Sequence, residues 1–125
     1  MKGMTNFDSN SVRQKVTKYR IVPGSLRELE VRYLRSLYKK NYKIIDSIKV
    51  LVENPKKDGD MYYADVEEGE VSFWGFGKTL KVAIRHLRWH IIGTYEDLDE
   101  VDYNEMGPVL VATKEFLEKH IKKVI

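Results

Sequence analysis

Residues 78–90 read Lys-Thr-Leu-Lys-Val-Ala-Ile-Arg-His-Leu-Arg-Trp-His, and this stretch holds most of the side chains whose types and spacing bear on chemistry. Lys78, Lys81, Arg85 and Arg88 follow at steps of three, four and three, so on a helix they share a face. Such a row meets phosphate groups, helped by the open N–H groups at a helix start. It also serves as the solvated face that any amphipathic helix needs. His86 and His90 stand four apart, the spacing at which two imidazoles reach one metal ion. No third ligand stands at a matching spacing, so a structural or surface role is expected for them, and no metal. Asp65, Glu67, Glu68 and Glu70 form an acidic cluster. Paired carboxylates do acid–base work, but a solvated hairpin turn is the commoner use of such a run. No Ser/His/Asp or Cys/His arrangement is visible and cysteine is absent. The expectation is a protein that is not an enzyme and needs no cofactor. Gly75-Phe76-Gly77-Lys78-Thr79 is like a phosphate-binding loop only on the surface. The true loop spaces its glycines further apart and sits in a parallel strand–helix unit, so a tight turn is the expected use of these glycines.

The elements that must position these residues follow from periodicity. Ser25 and Glu28 have the spacing of a capping box, and Leu26, Leu29, Tyr33, Leu34 and Leu37 recur at helical steps. A helix over 25–40 is expected. Three strands follow, within 44–53, 61–66 and 71–76, joined by connections of hairpin length that make the sheet antiparallel. In the third, Val71, Phe73 and Gly75 face one way and Ser72, Trp74 and Phe76 the other. Aromatics on both faces suggest a central or doubly covered strand. Thr79 caps a helix reaching about Leu98, with Leu80, Ala83, Ile84, Leu87, Ile91 and Tyr95 as its apolar stripe. Thr113 is expected to open a last helix running to Ile125. The fold class is therefore α+β: a three-stranded antiparallel sheet with helices packed on one face, in the order α-β-β-β-α-α. Residues 1–24 are expected as a flexible basic arm, with 13–22 alternatively an edge strand, and 25–125 as a single α+β domain.

Charge is unevenly placed. Residues 1–57 hold 14 Lys/Arg against 5 Asp/Glu, and residues 58–125 hold 8 against 14, which leaves the net charge of +3. Segregation of this kind suits an anionic partner, or opposed faces for assembly. Residues 1–10 carry no apolar run of the kind a secretory signal needs, no stretch is apolar enough for a bilayer, and the expected compartment is the cytoplasm.

Residues 46–98 resemble the HicB-like antitoxin fold. Ile48-Lys49-Val50-Leu51-Val52-Glu53 and Tyr62-Tyr63-Ala64-Asp65-Val66-Glu67 stand for its first strand pair, and residues 75–83 for the turn and helix start. The resemblance implies a small non-enzymatic, antitoxin-like interaction protein that binds and inhibits or regulates a nucleic-acid-processing partner, such as a small ribonuclease toxin. Glu67, Glu68, Glu70, Trp74, Glu96, Asp97 and Asp99 would then meet the partner's basic surface. Homodimerisation through an edge strand or the outer helix is a further expectation. Residues 25–98 are also similar, more weakly, to a double-stranded RNA-binding domain, of order α-β-β-β-α, through Gly75, Gly77, Lys78, Thr79, Lys81 and Ala83. The alternative reading is direct RNA or DNA binding through Arg20, Arg32, Arg35, Lys39, Lys40, Lys78, Lys81 and Arg85, part of a basic supply interleaved with tyrosines.

Overall fold

The structure, a computed structural model, describes residues 13–22, 25–55 and 60–124, with side chains described from Leu29 onward. Strands β1 (Arg13–Val22), β2 (Ser25–Leu34), β4 (Ile48–Glu53), β5 (Tyr62–Glu68) and β6 (Val71–Gly77) form one antiparallel sheet in the order β1-β2-β4-β5-β6. The short strands β3 (Tyr42–Ile44) and β7 (Ile121–Lys123) pair separately. Helix α1 (Leu80–Asp99) follows β6 directly, and α2 (Pro108–His120) leads into β7.

Period-two alternation decides which face of the sheet is dry. Ile48, Val50 and Val52 on β4, Ala64 and Val66 on β5, and Val71 and Phe73 on β6 are all buried against the helical side. From above, α1 contributes Ala83, Leu87 and Ile91, none with measurable exposure. Each fully buried aliphatic side chain contributes about 1.5–3 kcal/mol through removal of apolar area from water. Gly75 and Gly77 continue the inward row of β6. A Cβ at Gly75 would collide with the backbone of Ala83 and Leu87, and one at Gly77 with Val82. These glycines therefore let the helix lie directly on the strand, rather than supplying a turn, and neither has a positive φ. The contacts also show that α1 runs back along β6, with Val82 over Gly77, Leu87 over Gly75 and His90 beside Phe73. Thr79 caps α1 as expected, its Oγ1 accepting the Val82 N–H at 3.1 Å.

The three-stranded sheet and the order α-β-β-β-α-α are overturned, because residues 25–34 are strand β2 rather than a helix. Leu29 and Val31 point to one face, and Glu30, Arg32 and Leu34 to the other. Ser25 stands opposite Val22 and Glu30 opposite Val52, so ladders on both sides take the backbone groups that a helix would have bonded internally. The same correction removes the first helix that the double-stranded RNA-binding order requires. Residues 13–22 form an edge strand of the sheet; the remainder of 1–24 lies outside the described residues. β6 is an edge strand too, not a central one, so Trp74 and Phe76 face open surface. The last helix begins at Pro108, where the missing N–H costs nothing in a first turn. Thr113 lies inside it, donating Oγ1–H to the Val109 carbonyl at 2.8 Å. The helix stops at His120, whose Nδ1 lies 2.7 Å from the Asp46 carbonyl and whose own carbonyl accepts the Ile45 N–H at 2.8 Å. Among the described residues no helix is long and apolar enough to cross a membrane.

Candidate functional site

A helix is about 10 Å across and strands are spaced about 4.8 Å apart, so one helix covers roughly two strands. α1 packs on β6 and β5, and among the described residues no helix packs closely on β2, whose inward Glu30 and Leu34 are buried and whose Arg32 is partly exposed. Arg32 and the chain from Leu37 to Lys39 bound a groove of about 910 Å³ along α1. Arg32 lies on its β2 side, Leu80, Ile84 and Ile92 give it apolar patches, and Lys81, Arg85, Arg88 and Trp89 line the helix wall. Glu96 is the single carboxylate among the lining residues.

Two ties hold the far lip against the helix. Arg88 donates from Nε to the Ser36 carbonyl at 2.9 Å, and its guanidinium lies 4.2 Å from the ring centre of Tyr38. Burial draws the Arg88 pKa below its ordinary value, with the Tyr38 contact pulling it back. At the other end, Tyr42 donates its hydroxyl to Glu96 Oε2 at 2.9 Å, and Lys39 Nζ lies 3.5 Å from the same oxygen. Burial first, then this hydrogen bond, pushes the Tyr42 hydroxyl up to about 12. The Tyr42 hydrogen bond and the Lys39 charge hold the Glu96 carboxyl below its ordinary range. Glu96 thus keeps its negative charge in the groove and engages Lys39, and Arg32 is likewise paired, its Nε 3.4 Å from Glu30 Oε1; Lys81, Arg85 and Arg88 have no carboxylate partner among the ion pairs of the described residues.

The aromatic side chains of the groove are open to solvent. Trp89 is 65 % exposed and Tyr38 81 % exposed. Tyr38 also has a φ of 54°, a conformation uncommon for a residue with a side chain, and its N–H bonds Ser36 Oγ at 3.0 Å. The backbone therefore presents this ring outward at some conformational cost, a combination that collects at functional sites. The Arg85 guanidinium lies 5.8 Å from the Trp89 ring centre. Each open ring is accompanied by an arginine, an arrangement suited to stacking a base while holding its phosphate.

Of the residues expected to bind nucleic acid, Arg32, Lys39, Lys81 and Arg85 converge on this groove. Arg35 lines a smaller adjoining cavity with Tyr33 and Arg88. Lys40 is exposed in the turn before β3, and Lys78 stands before the helix, outside the groove lining. Arg20 is on β1, opposite Arg27, and its side chain lies outside the described residues. The acidic set expected to meet a protein partner is dispersed. Glu67, Glu68 and Glu70 lie at the β5–β6 turn, Trp74 on the outer sheet face, Glu96 in the groove, and Asp99 3.8 Å from Lys123. Asp97 is exposed near the end of α1. Arg88, Tyr38 and Trp89 complete the groove. Arg88 was legible from its spacing with Lys81 and Arg85, whereas Tyr38 carries no local signal that sets it apart from the other tyrosines.

On the opposite flank of α1, His86 and His90 turn toward the backbone of β6. His90 Nδ1 lies 3.2 Å from the Trp74 nitrogen and 3.3 Å from its carbonyl oxygen. His86 Nδ1 lies 3.3 Å from both the nitrogen and the carbonyl oxygen of Phe76. The rings stack edge-on with Trp74 and Phe76 at centroid distances of 4.3 and 4.8 Å. Their i, i+4 spacing is used on a strand. Among the described residues no three metal-ligating side chains come together.

Comparison with known proteins adds no relative. No protein-family model, no curated protein and no solved structure matches this chain significantly.

Proposed function

We propose that the chain binds single-stranded nucleic acid along the groove beside α1. The observation that carries this reading is the convergence of Arg32, Lys39, Lys81, Arg85 and Arg88 with the open rings of Trp89 and Tyr38 around one groove. Cations neutralise phosphates and supply affinity without sequence preference. Open aromatic faces need unstacked bases, which a strand offers and a duplex does not. From Lys81 to Glu96 the helix wall runs about 22 Å at 1.5 Å per residue, long enough for several nucleotides. The protein-partner reading implied by the resemblance to HicB-like antitoxins has less support, since its residues are spread over the β5–β6 turn, the groove, the end of α1 and, for Trp74, the outer sheet face. A chain without cysteine that binds such a polymer suits the cytoplasm.

The test is a fluorescence titration of the full chain with a labelled mixed-sequence 12-nucleotide RNA, the same DNA strand, and the corresponding duplexes. Single strands are expected to bind more tightly than duplexes. With four phosphate contacts, affinity should fall about 50-fold between 50 and 200 mM salt, at a slope near −0.7 per contact. Absence of binding at 50 mM salt would overturn the reading. Capture of a small basic ribonuclease, with no nucleic-acid affinity, would replace it with the protein-partner reading.

A further inference from the structure

β6 closes the sheet opposite β1, so among the described residues no strand bonds its outward backbone groups. Trp74 and Phe76 turn both their N–H and their C=O away from β5 and toward a single imidazole nitrogen each. A neutral ring nitrogen either donates or accepts. Each histidine can therefore satisfy one of the two groups it faces, never both, and the edge is covered but only half bonded. A neighbouring strand would supply a donor and an acceptor at each of these positions.

We propose that β6 is a strand-pairing site for the β6 of a second copy of this chain, held shut by His86 and His90. The choice of occupant rests on charge and symmetry. β6 carries no ionisable side chain from Val71 to Gly77, so antiparallel self-pairing brings no like charges together. β1, at the opposite edge, carries Arg13, Lys15, Lys18 and Arg20 in its sequence, which disfavours self-pairing. Trp74 and Phe76, 52 % and 42 % exposed on the outer face, would face the same two rings of the second copy, Trp74 opposite Phe76 when the two-fold axis passes through Gly75. A two-fold axis makes such an interface self-complementary. Opening needs the two rings to rotate off the strand. The inference stands apart from the nucleic-acid reading, since the groove lies on the other flank of α1 and stays open in the pair.

The experiment measures the mass of the full chain by sedimentation between 5 and about 200 μM, for the wild type, His86→Ala/His90→Ala, and the same pair with Ser72→Pro. The wild type is expected to be monomeric. The alanine pair is expected to dimerise on the order of 30-fold more tightly, the worth of about two net hydrogen bonds. By strand alternation Ser72 also directs its N–H outward. Proline there blocks the edge while sparing the ladder to β5 and both aromatics, and it should restore the monomer. Circular dichroism checks the fold, and His86→Asn/His90→Asn replaces the alanine pair should that pair fail to fold. A folded histidine variant that stays monomeric at the highest concentration would overturn the proposal. So would a dimer indifferent to Ser72→Pro, or a wild type already paired through β6.

Discussion

The two flanks of α1 are drawn from alternating residues of one short stretch, yet they work in opposite senses. On the groove flank Lys81, Arg85 and Trp89 leave charge and aromatic surface open, while the ties of Arg88 to Ser36 and of Tyr42 to Glu96 fix the lip around them. On the edge flank His86 and His90 fold back onto β6 and cover polar backbone. The first flank exposes binding groups, and the second conceals them. The difference comes from what lies beneath. Toward β2 the helix packs less closely, with a groove between them, whereas along β6 it rides over glycines, close enough for an imidazole to reach the strand. Helical periodicity thus divides one segment into two surfaces of different chemistry.

The comparison breaks most completely where both flanks depend on the same contact. Gly75→Ala would drive a methyl group into the backbone of Ala83 and Leu87 and force α1 off the strand. Overpacking against backbone, which cannot swing aside, should cost about 3 kcal/mol in denaturant unfolding. Groove binding and edge cover should deteriorate together. Reversing charge on one flank should separate them. In Lys81→Glu/Arg85→Glu, single-strand affinity at low salt is expected to drop about 100-fold, with the salt slope reduced by the lost contacts. Sedimentation of that variant should not change. A loss of affinity on substituting His86 and His90 instead would mean that the flanks are not separate.

Much of this helix could be read before the fold was known. Thr79 announces its own cap, and Lys81, Arg85 and Arg88 share a face by spacing alone. The strands at 48–53, 62–68 and 71–77 lie within a few residues of their expected places. What failed was the segment 25–34, where Leu26, Leu29, Tyr33 and Leu34 fit a helical period while the chain is paired on both sides as β2. Strand pairing is a non-local decision, and local periodicity does not carry it. With β2 read as a helix, the groove wall that Arg32 supplies was not visible, and the aromatics on both faces of β6 pointed to a central strand although a meander places its last strand at an edge. The role of His86 and His90 follows only from that edge. Tyr38 depends on a single backbone angle in a stretch whose composition, Ser-Leu-Tyr-Lys-Lys, does not announce it.

The groove flank also has a titratable clasp. Tyr42 is raised to about 12, from an ordinary value of 10.0, by burial and by Glu96. A folded-state value above the unfolded one means the folded protein holds its proton longer. The contribution is complete below pH 10.0 and disappears as pH climbs toward 12. Glu96 has the opposite sense: its lowered value stabilises the fold above its ordinary 4.5 and is lost as pH falls through the folded value. In urea unfolding followed against pH, Tyr42→Phe should reduce the alkaline loss, by on the order of 2 kcal/mol, and shrink the acid one, leaving the share of Tyr95, raised by burial, and of Tyr103, raised by its hydrogen bond to Glu118. His86→Ala/His90→Ala should leave the alkaline arm untouched.

The smallest expected effect discriminates most finely, because the chain carries one tryptophan for each surface. Trp89 stands in the groove beside Arg85, and Trp74 stands on the outer face beside His90. Both are more than half exposed, so truncating either one leaves the core in place. Stacking a base on an indole is worth about 1–3 kcal/mol. Trp89→Ala should therefore weaken single-strand binding about tenfold, by an amount that survives at high salt because stacking releases no counterions. Trp74→Ala should leave that affinity where it was. Equal losses from the two substitutions would place the bound strand across the sheet rather than beside the helix, and the groove would then be a by-product of one helix lying on a sheet wider than itself.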